Sequence, residues 1–243
     1  NENYARELLE LHTLGVKGGY EQKDVLEASR CLTGWRIREK FGRGQVFFEP
    51  DFHDNGKKVV LGVVIPEGGG EKDIDSLLDI VCSHHSTSHH IATKLVRYFV
   101  KDNPPQSLVH ETARRFRDSK GDIKTTLETI FASEEFLKFR GNKFKRPYRF
   151  LVGALRATGA DTFAHDGLLK YLTRMGQEPF QYPTPDGFPP ETLPWLGTLL
   201  WRWNFAFALA GNSIPSVKVK TGKIFNAIDC PESAGLNPSV LFQ

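Results

Sequence analysis

The sequence is poor in the patterns that mark the commonest enzyme and metal-binding classes. Its three cysteines, Cys31, Cys82 and Cys230, are widely spaced without a CxxC pair, which argues against a disulfide framework and a cysteine-based zinc site. It contains no GxSxG, P-loop or GxGxxG motif. The longest apolar run is interrupted by Arg202 and Asn204, so we expect no transmembrane segment.

An excess of charge of one sign is also absent. The chain has 32 basic and 29 acidic residues and a formal net charge of +3, so we do not expect nucleic acid to be a partner of the whole protein. One segment, residues 138–149, has charged residues of positive sign only. It carries Lys138, Arg140, Lys143, Lys145, Arg146 and Arg149 with no acidic residue. This segment could bind a phosphate, a sulfated glycan or nucleic acid, or form a solvated loop before a helix.

Helical periodicity is what the sequence does have, punctuated by glycine and proline. It predicts a mainly α fold, a multi-helix orthogonal bundle with one small β-hairpin at about residues 45–65. The hairpin is predicted from two β-branched or aromatic runs around "HDNGKK", whose Asn-Gly pair favours a tight turn. We predict a single helical domain over residues 1–211 and an irregular tail over residues 212–243. Further helices are expected at 22–33, 73–82, 106–118, 122–132, 133–139, 147–158, 165–175 and 195–210.

The opening stretch "NENYARELLELHTLG" places Glu7 and His12 inside the apolar face of an ideal α-helix, with Thr13 on the opposite side. Buried ionisable groups need partners. We interpret Glu7 as an ion-pair anchor for a buried arginine, Arg97 or Arg156. His12 is either a core histidine with satisfied hydrogen bonds or part of a site.

Histidines are the candidate metal ligands. "FHDNG" supplies His53 and Asp54, "CSHHSTSHH" supplies His84, and the opening helix supplies His12. Imidazole and carboxylate are common ligands of divalent metals, so these four residues could hold such an ion. The spacing matches no known signature, and the alternative is that His53 and Asp54 set the turn while His84 lies at a helix start. Glu7, His12 and Arg97 are the candidate catalytic residues.

Several motifs occur in the order found in one bacterial family. They include "NENYARELLELHTLG", "FHDNGKKVVLG", "HHSTSHHIATKLVRYFV", "MGQEPFQYPTPDGFP" and "WRWNFAFALA". With them the chain resembles the C-terminal half of the family called domain of unknown function 1800 (DUF1800). The resemblance implies a missing N-terminal half, export to the periplasm or the extracellular space, and a sulfatase- or phosphatase-like neighbour as partner. It implies no catalytic residues.

Two functions follow as hypotheses. The first is a binding or partner module of the cell envelope, in which the buried polar residues only fix helix packing. The second is a metal-assisted hydrolase with a cleft formed by Glu7, His12, His53, Asp54, His84 and Arg97. Whether the protein is an enzyme is left open by the sequence.

Overall fold

The structure, a computed structural model, describes residues 1–38, 44–163 and 166–219. It confirms a mainly α-helical protein with small antiparallel hairpins. The chain forms two compact units, Asn1–Lys143 and Phe144–Gln243. No helix of the described residues is both long and apolar enough to cross a membrane.

The first unit is built mainly from helices. They are α1 (Glu2–Glu7), continued by a π-helix (Leu8–Thr13), then α2 (Gln22–Cys31), α3 (Asp73–Ser83), α4 (His85–Phe99), α5 (Gln106–Asp118), α6 (Ile123–Phe131) and α7 (Glu134–Lys138). N-cap residues mark the starts of α6 and α7. Asp122 accepts a hydrogen bond from the Thr125 amide at 2.6 Å, and Ser133 accepts one from the Phe136 amide. The predicted positions of α2, α3, α5, α6 and α7 are confirmed.

Two hairpins lie between α2 and α3. Strand β1 (Trp35–Ile37) pairs with β2 (Val46–Phe48), and β3 (Lys58–Val60) pairs with β4 (Val63–Ile65), both antiparallel. A hairpin within residues 45–65 is therefore confirmed, but its turn is Leu61–Gly62, where both residues have positive φ, and not Asn55–Gly56. The Asn-Gly signal misled because Asp54 accepts a hydrogen bond from the Gly56 amide at 2.9 Å and forms a local turn instead.

The first unit has two apolar clusters. One joins the opening helix, α2, the β3–β4 hairpin and α3 through buried side chains that include Leu9, Val25, Val60 and Leu77. The other joins α4, α5 and α6 through residues such as Val96, Leu108 and Ile130. The polar groups described below lie beside the first cluster.

The second unit contains α8 (Pro147–Ala157), α9 (Asp166–Arg174) and α10 (Leu199–Ala210), with a 3-10 helix (Leu193–Thr198) before α10 and a short sheet of β5 (Asp161–Thr162) with β6 (Val217–Lys218). Their inner sides form one core that includes Leu151, Leu172 and Phe205. Ile214, Val217 and Val219, which lie in the predicted tail, belong to this core. The predicted helix start at His165, the rest of the tail and Cys230 lie outside the described residues.

Candidate functional site

Lys58 is the centre of a buried polar cluster in the first unit. Its side chain has 0% exposure, and its ammonium donates to Asp73 Oδ2 at 2.6 Å, to the Gly56 carbonyl at 3.0 Å and to the Asp54 carbonyl. An ammonium has three N–H donors, so all of them are used. The Asp73 side chain is 1% exposed, and the pair is therefore a buried ion pair whose desolvation is offset by further hydrogen bonds.

His53 joins this cluster through both ring nitrogens. Nε2 lies 3.1 Å from Asp73 Oδ2, and Nδ1 lies 2.9 Å from the Thr33 carbonyl. The Thr33 hydroxyl donates to the Arg30 carbonyl at 2.6 Å, so it has no proton left for Nδ1. Each ring nitrogen thus faces an oxygen atom, Nδ1 the Thr33 carbonyl and Nε2 the Asp73 carboxylate.

Asp54 faces away from His53 and pairs with Arg30. The guanidinium donates to Asp54 Oδ2 at 2.7 Å and to Oδ1 at 3.1 Å, and it also pairs with Glu27 at 2.8 Å. The Arg30 hydrogen bonds, followed by the Gly56 amide, hold the pKa of the Asp54 carboxyl well below its usual range, while Asp54 and Glu27 raise the pKa of Arg30. Asp54 is therefore a charged partner of Arg30.

Carboxylates of α2 also hold the β3–β4 hairpin. Glu27 Oε2 accepts from the Val59 amide, and Asp24 Oδ1 accepts from the Leu61 amide, each at 2.8 Å. The second oxygen of Asp24 accepts from the Glu21 amide at the start of α2. One helix thus supplies acceptors along one side of the hairpin, which fixes the position of Lys58 over Asp73.

Sequence reasoning missed Lys58 and Asp73, which are the centre of the cluster. Lys58 was assigned to a turn together with Gly56 and Lys57. A signal existed, because strand side chains alternate and Lys58 shares its face with the apolar Val60. A strand that begins at Lys58, one residue earlier than the turn "HDNGKK" allows, places this lysine on the inward face.

The opening helix departs from the α-helical geometry on which the assignment of His12 rested. Residues Leu8–Thr13 form a π-helix, whose i→i+5 hydrogen bonds shift the phase of the following side chains. As a result Thr13 is buried, with its hydroxyl bonded to the Leu8 carbonyl at 2.6 Å, and His12 is exposed. The expectation that His12 is inside the apolar face and Thr13 outside it is wrong.

The Leu11 carbonyl, near the end of the π-helix, is bonded by α4. His90 Nε2 lies 3.2 Å from it and Lys94 Nζ lies 3.4 Å from it. Burial lowers the pKa of His90, because it disfavours the charged ring. The histidine that packs against the opening helix is thus a structural group.

Glu7 and Arg97 do not form the expected ion pair. Glu7 is half-buried, and its carboxylate makes no hydrogen bond or ion pair with any other described residue of the first unit. Arg97 Nε donates to the Asp102 carbonyl at 3.2 Å. Arg156 is exposed, so it is not the buried arginine that the prediction required.

His84 begins α4, as the alternative reading of the sequence expected. Its Nδ1 accepts from the Ser86 amide at 3.2 Å, and its ring packs on that of His85 at a centroid distance of 4.3 Å. Burial, followed by repulsion from His85, lowers the pKa of His84. His84 makes no hydrogen bond or ring contact with His12, His53 or Asp54 among the described residues.

The four metal candidates are thus not assembled into one site. Among residues 1–38, 44–163 and 166–219, no group of three or more His, Cys, Asp or Glu side chains could hold a metal ion. His53 and Asp54 are neighbours that face different partners, and both are fully engaged with protein groups. Lys58 and Asp73, at the centre of the cluster, are 0% and 1% exposed and bind protein groups. We therefore interpret the cluster as a structural network.

The architecture defines a mainly α-helical protein in which the β3–β4 hairpin is held to α2 by hydrogen bonds to two carboxylates and to Asp73 of α3 by the buried Lys58. The chain belongs to the family described as "Protein of unknown function (DUF1800)", whose model matches residues 1–238. No curated protein and no solved structure matches this chain.

Proposed function

We propose that this protein is a binding module whose contact surface is the outer side of α10 and of the 3-10 helix that precedes it. We call this surface the α10 face. It consists of six large apolar side chains that are 44–77% exposed: Leu193, Leu196, Leu199, Leu200, Trp203 and Phe207. This exposed apolar strip is the observation on which the proposal depends.

The α10 face is continuous and uncharged. Trp203 and Phe207 lie one turn apart and stack at a centroid distance of 5.9 Å. Between Leu193 and Ala210, all of which the structure describes, the sole charged residue is Arg202, and it is buried on the opposite side of the helix. A helix that is apolar on all sides is usually buried, yet the described residues of this unit cover only one side of α10.

The size of the face fits a protein interface. The exposed fractions of the six side chains correspond to roughly 700 Å², taking about 200 Å² for a fully exposed large side chain. Isolated apolar patches on monomers are usually smaller, and a standard interface takes about 800 Å² from each partner. Aromatic side chains without charge are typical of the centre of such an interface.

The identity of the partner rests on the family resemblance. That resemblance favours an exported protein, a further N-terminal part and a sulfatase- or phosphatase-like neighbour, and we propose this neighbour as the occupant of the α10 face. The hydrolase hypothesis has less support, because Asp54 and His53 are engaged with protein groups and His12 lies on the surface.

Binding of the purified neighbour, measured by surface plasmon resonance, tests the proposal. We expect Leu200→Glu and Phe207→Glu to weaken binding by about tenfold or more, because each places a charge in an apolar contact. Phe163→Glu is the matched control, since Phe163 is 91% exposed in the same unit but outside the α10 face. It should bind like the unchanged protein.

The same experiment can contradict the proposal. If the neighbour does not bind, or binds equally to all three variants, then the α10 face is not its contact surface. Turnover of a sulfate or phosphate ester that His84→Ala abolishes would favour the hydrolase instead. Self-association lost only in the α10 variants would identify a second copy of the chain as the occupant.

A further inference from the structure

Arg202 is a buried cation with no acidic partner among the residues that the structure describes. The residue is 7% exposed, and Nε donates to the Thr198 hydroxyl at 2.9 Å. Nη2 is buried and has no hydrogen-bond partner. No carboxylate in the described part of the chain pairs with this guanidinium. Such a group normally has a counter-ion or a full set of acceptors, so its unused donors require an explanation.

Two aromatic rings cover the Arg202 guanidinium but leave the N–H groups of Nη2 without an acceptor. Arg202 Cζ lies 4.4 Å from the ring centroid of Phe144 and 4.9 Å from that of Phe150. The π-faces stabilise a cation, but they do not accept the in-plane N–H groups of a guanidinium as a carboxylate does. Burial lowers the pKa of Arg202 from its usual value, because it disfavours the charged form.

The chain around these rings supplies cations and no anions. Phe144 and Phe150 bracket Lys145, Arg146 and Arg149 of the basic segment, and residues 136–160 contain no aspartate or glutamate. The rings that cover Arg202 therefore belong to a stretch of chain whose charged residues are all cationic. A cluster of cations concentrates anions near the protein.

We infer that Arg202 is the buried donor of a binding site for a tetrahedral oxyanion, a phosphate or sulfate group. The planar guanidinium matches an oxyanion in a fork of two hydrogen bonds, and a bound anion would supply the missing charge. Phe144 and Phe150 hold the plane of the guanidinium, and the basic segment attracts the ligand. The site lies on the inner side of α10, so it does not depend on the α10 face.

Thermal unfolding and titration calorimetry of the 243-residue chain test this inference. Sodium phosphate and sodium sulfate are compared with sodium chloride at equal ionic strength, which separates specific binding from screening. We expect at least one oxyanion to raise Tm and to give a binding heat that chloride does not. Arg202→Met, which keeps the length of the side chain, should weaken this binding by about tenfold or more.

Two further variants make the result decisive. Arg156→Met removes an exposed arginine of α8 and should bind the oxyanion like the unchanged protein. Arg202→Lys keeps the charge but loses the planar fork, so it should also bind the oxyanion about tenfold more weakly. This variant replaces Arg202→Met in the test if Arg202→Met does not fold. The inference fails if chloride acts as strongly as both oxyanions, if Arg202→Met and Arg202→Lys retain binding, or if Arg156→Met loses as much as they do.

Discussion

Lys58 in the first unit and Arg202 in the second are both buried cations, but their surroundings differ. Lys58 has three oxygen acceptors and the Asp73 carboxylate, so each N–H and the charge have a partner. Arg202 has one hydroxyl acceptor and two aromatic rings. Burial alone therefore does not distinguish a structural cation from a ligand-binding one. The two are distinguished by whether every N–H donor of the cation has an acceptor within the protein.

The largest effect that follows from this comparison is expected for Asp73→Ala. It leaves Lys58 and His53 buried without their carboxylate and should lower the free energy of unfolding of the first unit by about 3–5 kcal/mol. Urea unfolding followed by hydrogen exchange of peptides from α3 and β3 measures this change. Asp75→Ala, an exposed aspartate of the same helix, should change it by less than about 0.5 kcal/mol. Equal values for the two variants would show that Lys58 is hydrated.

A much smaller loss of stability is expected for Arg202→Met than for Asp73→Ala. In chloride buffer it removes a buried charge that has no carboxylate and keeps the side-chain volume, so the free energy of unfolding should change by less than about 1.5 kcal/mol. Hydrogen exchange of peptides from α10 measures it. A loss as large as that of Asp73→Ala would mean that Arg202 is as fully compensated as Lys58, and the contrast would disappear.

The smallest effect concerns the half-exposed pair of Arg30 and Asp54. Because the pKa of Asp54 is lower in the folded state, its stabilisation is complete above the ordinary value of 3.8 and is lost as pH falls below it. Asp54→Asn should therefore cost about 1 kcal/mol at pH 7 and progressively less below about pH 4. Thermal unfolding between pH 7 and pH 2 measures this, with Asp51→Asn as the exposed control. A cost independent of pH would contradict an ionic contribution.

The sequence predicted the helices well because their signals are local. Pro147 at the first turn of α8 and Asp122 and Ser133 at N-caps mark boundaries within one or two residues of those observed. The partner of a strand is not local information. The run at 46–48 pairs backward with Trp35–Ile37, and nothing near Asn55 encodes that choice.

The candidate site was predicted less well, for two physical reasons. The π-helix at Leu8–Thr13 changes which side chains are buried, and a regular 100° step cannot anticipate it. The partners of a buried charge depend on tertiary packing, so Lys58 and Asp73, 15 residues apart, and Arg202 with Phe144 could not be paired from spacing. The sequence predicted the basic segment but not the contact that Phe144, within this segment, makes with Arg202 of α10.

The contact between α2 and the β3–β4 hairpin has a consequence for solubility. A two-stranded sheet leaves unpaired amides along its outer edge, and such edges recruit strands from other molecules. Here the amides of Val59 and Leu61 are already bonded to Glu27 and Asp24. Although Val59 and Val64 are exposed, a strand that approached the β3 edge would have to displace two carboxylates, so helix α2 blocks that edge of the hairpin.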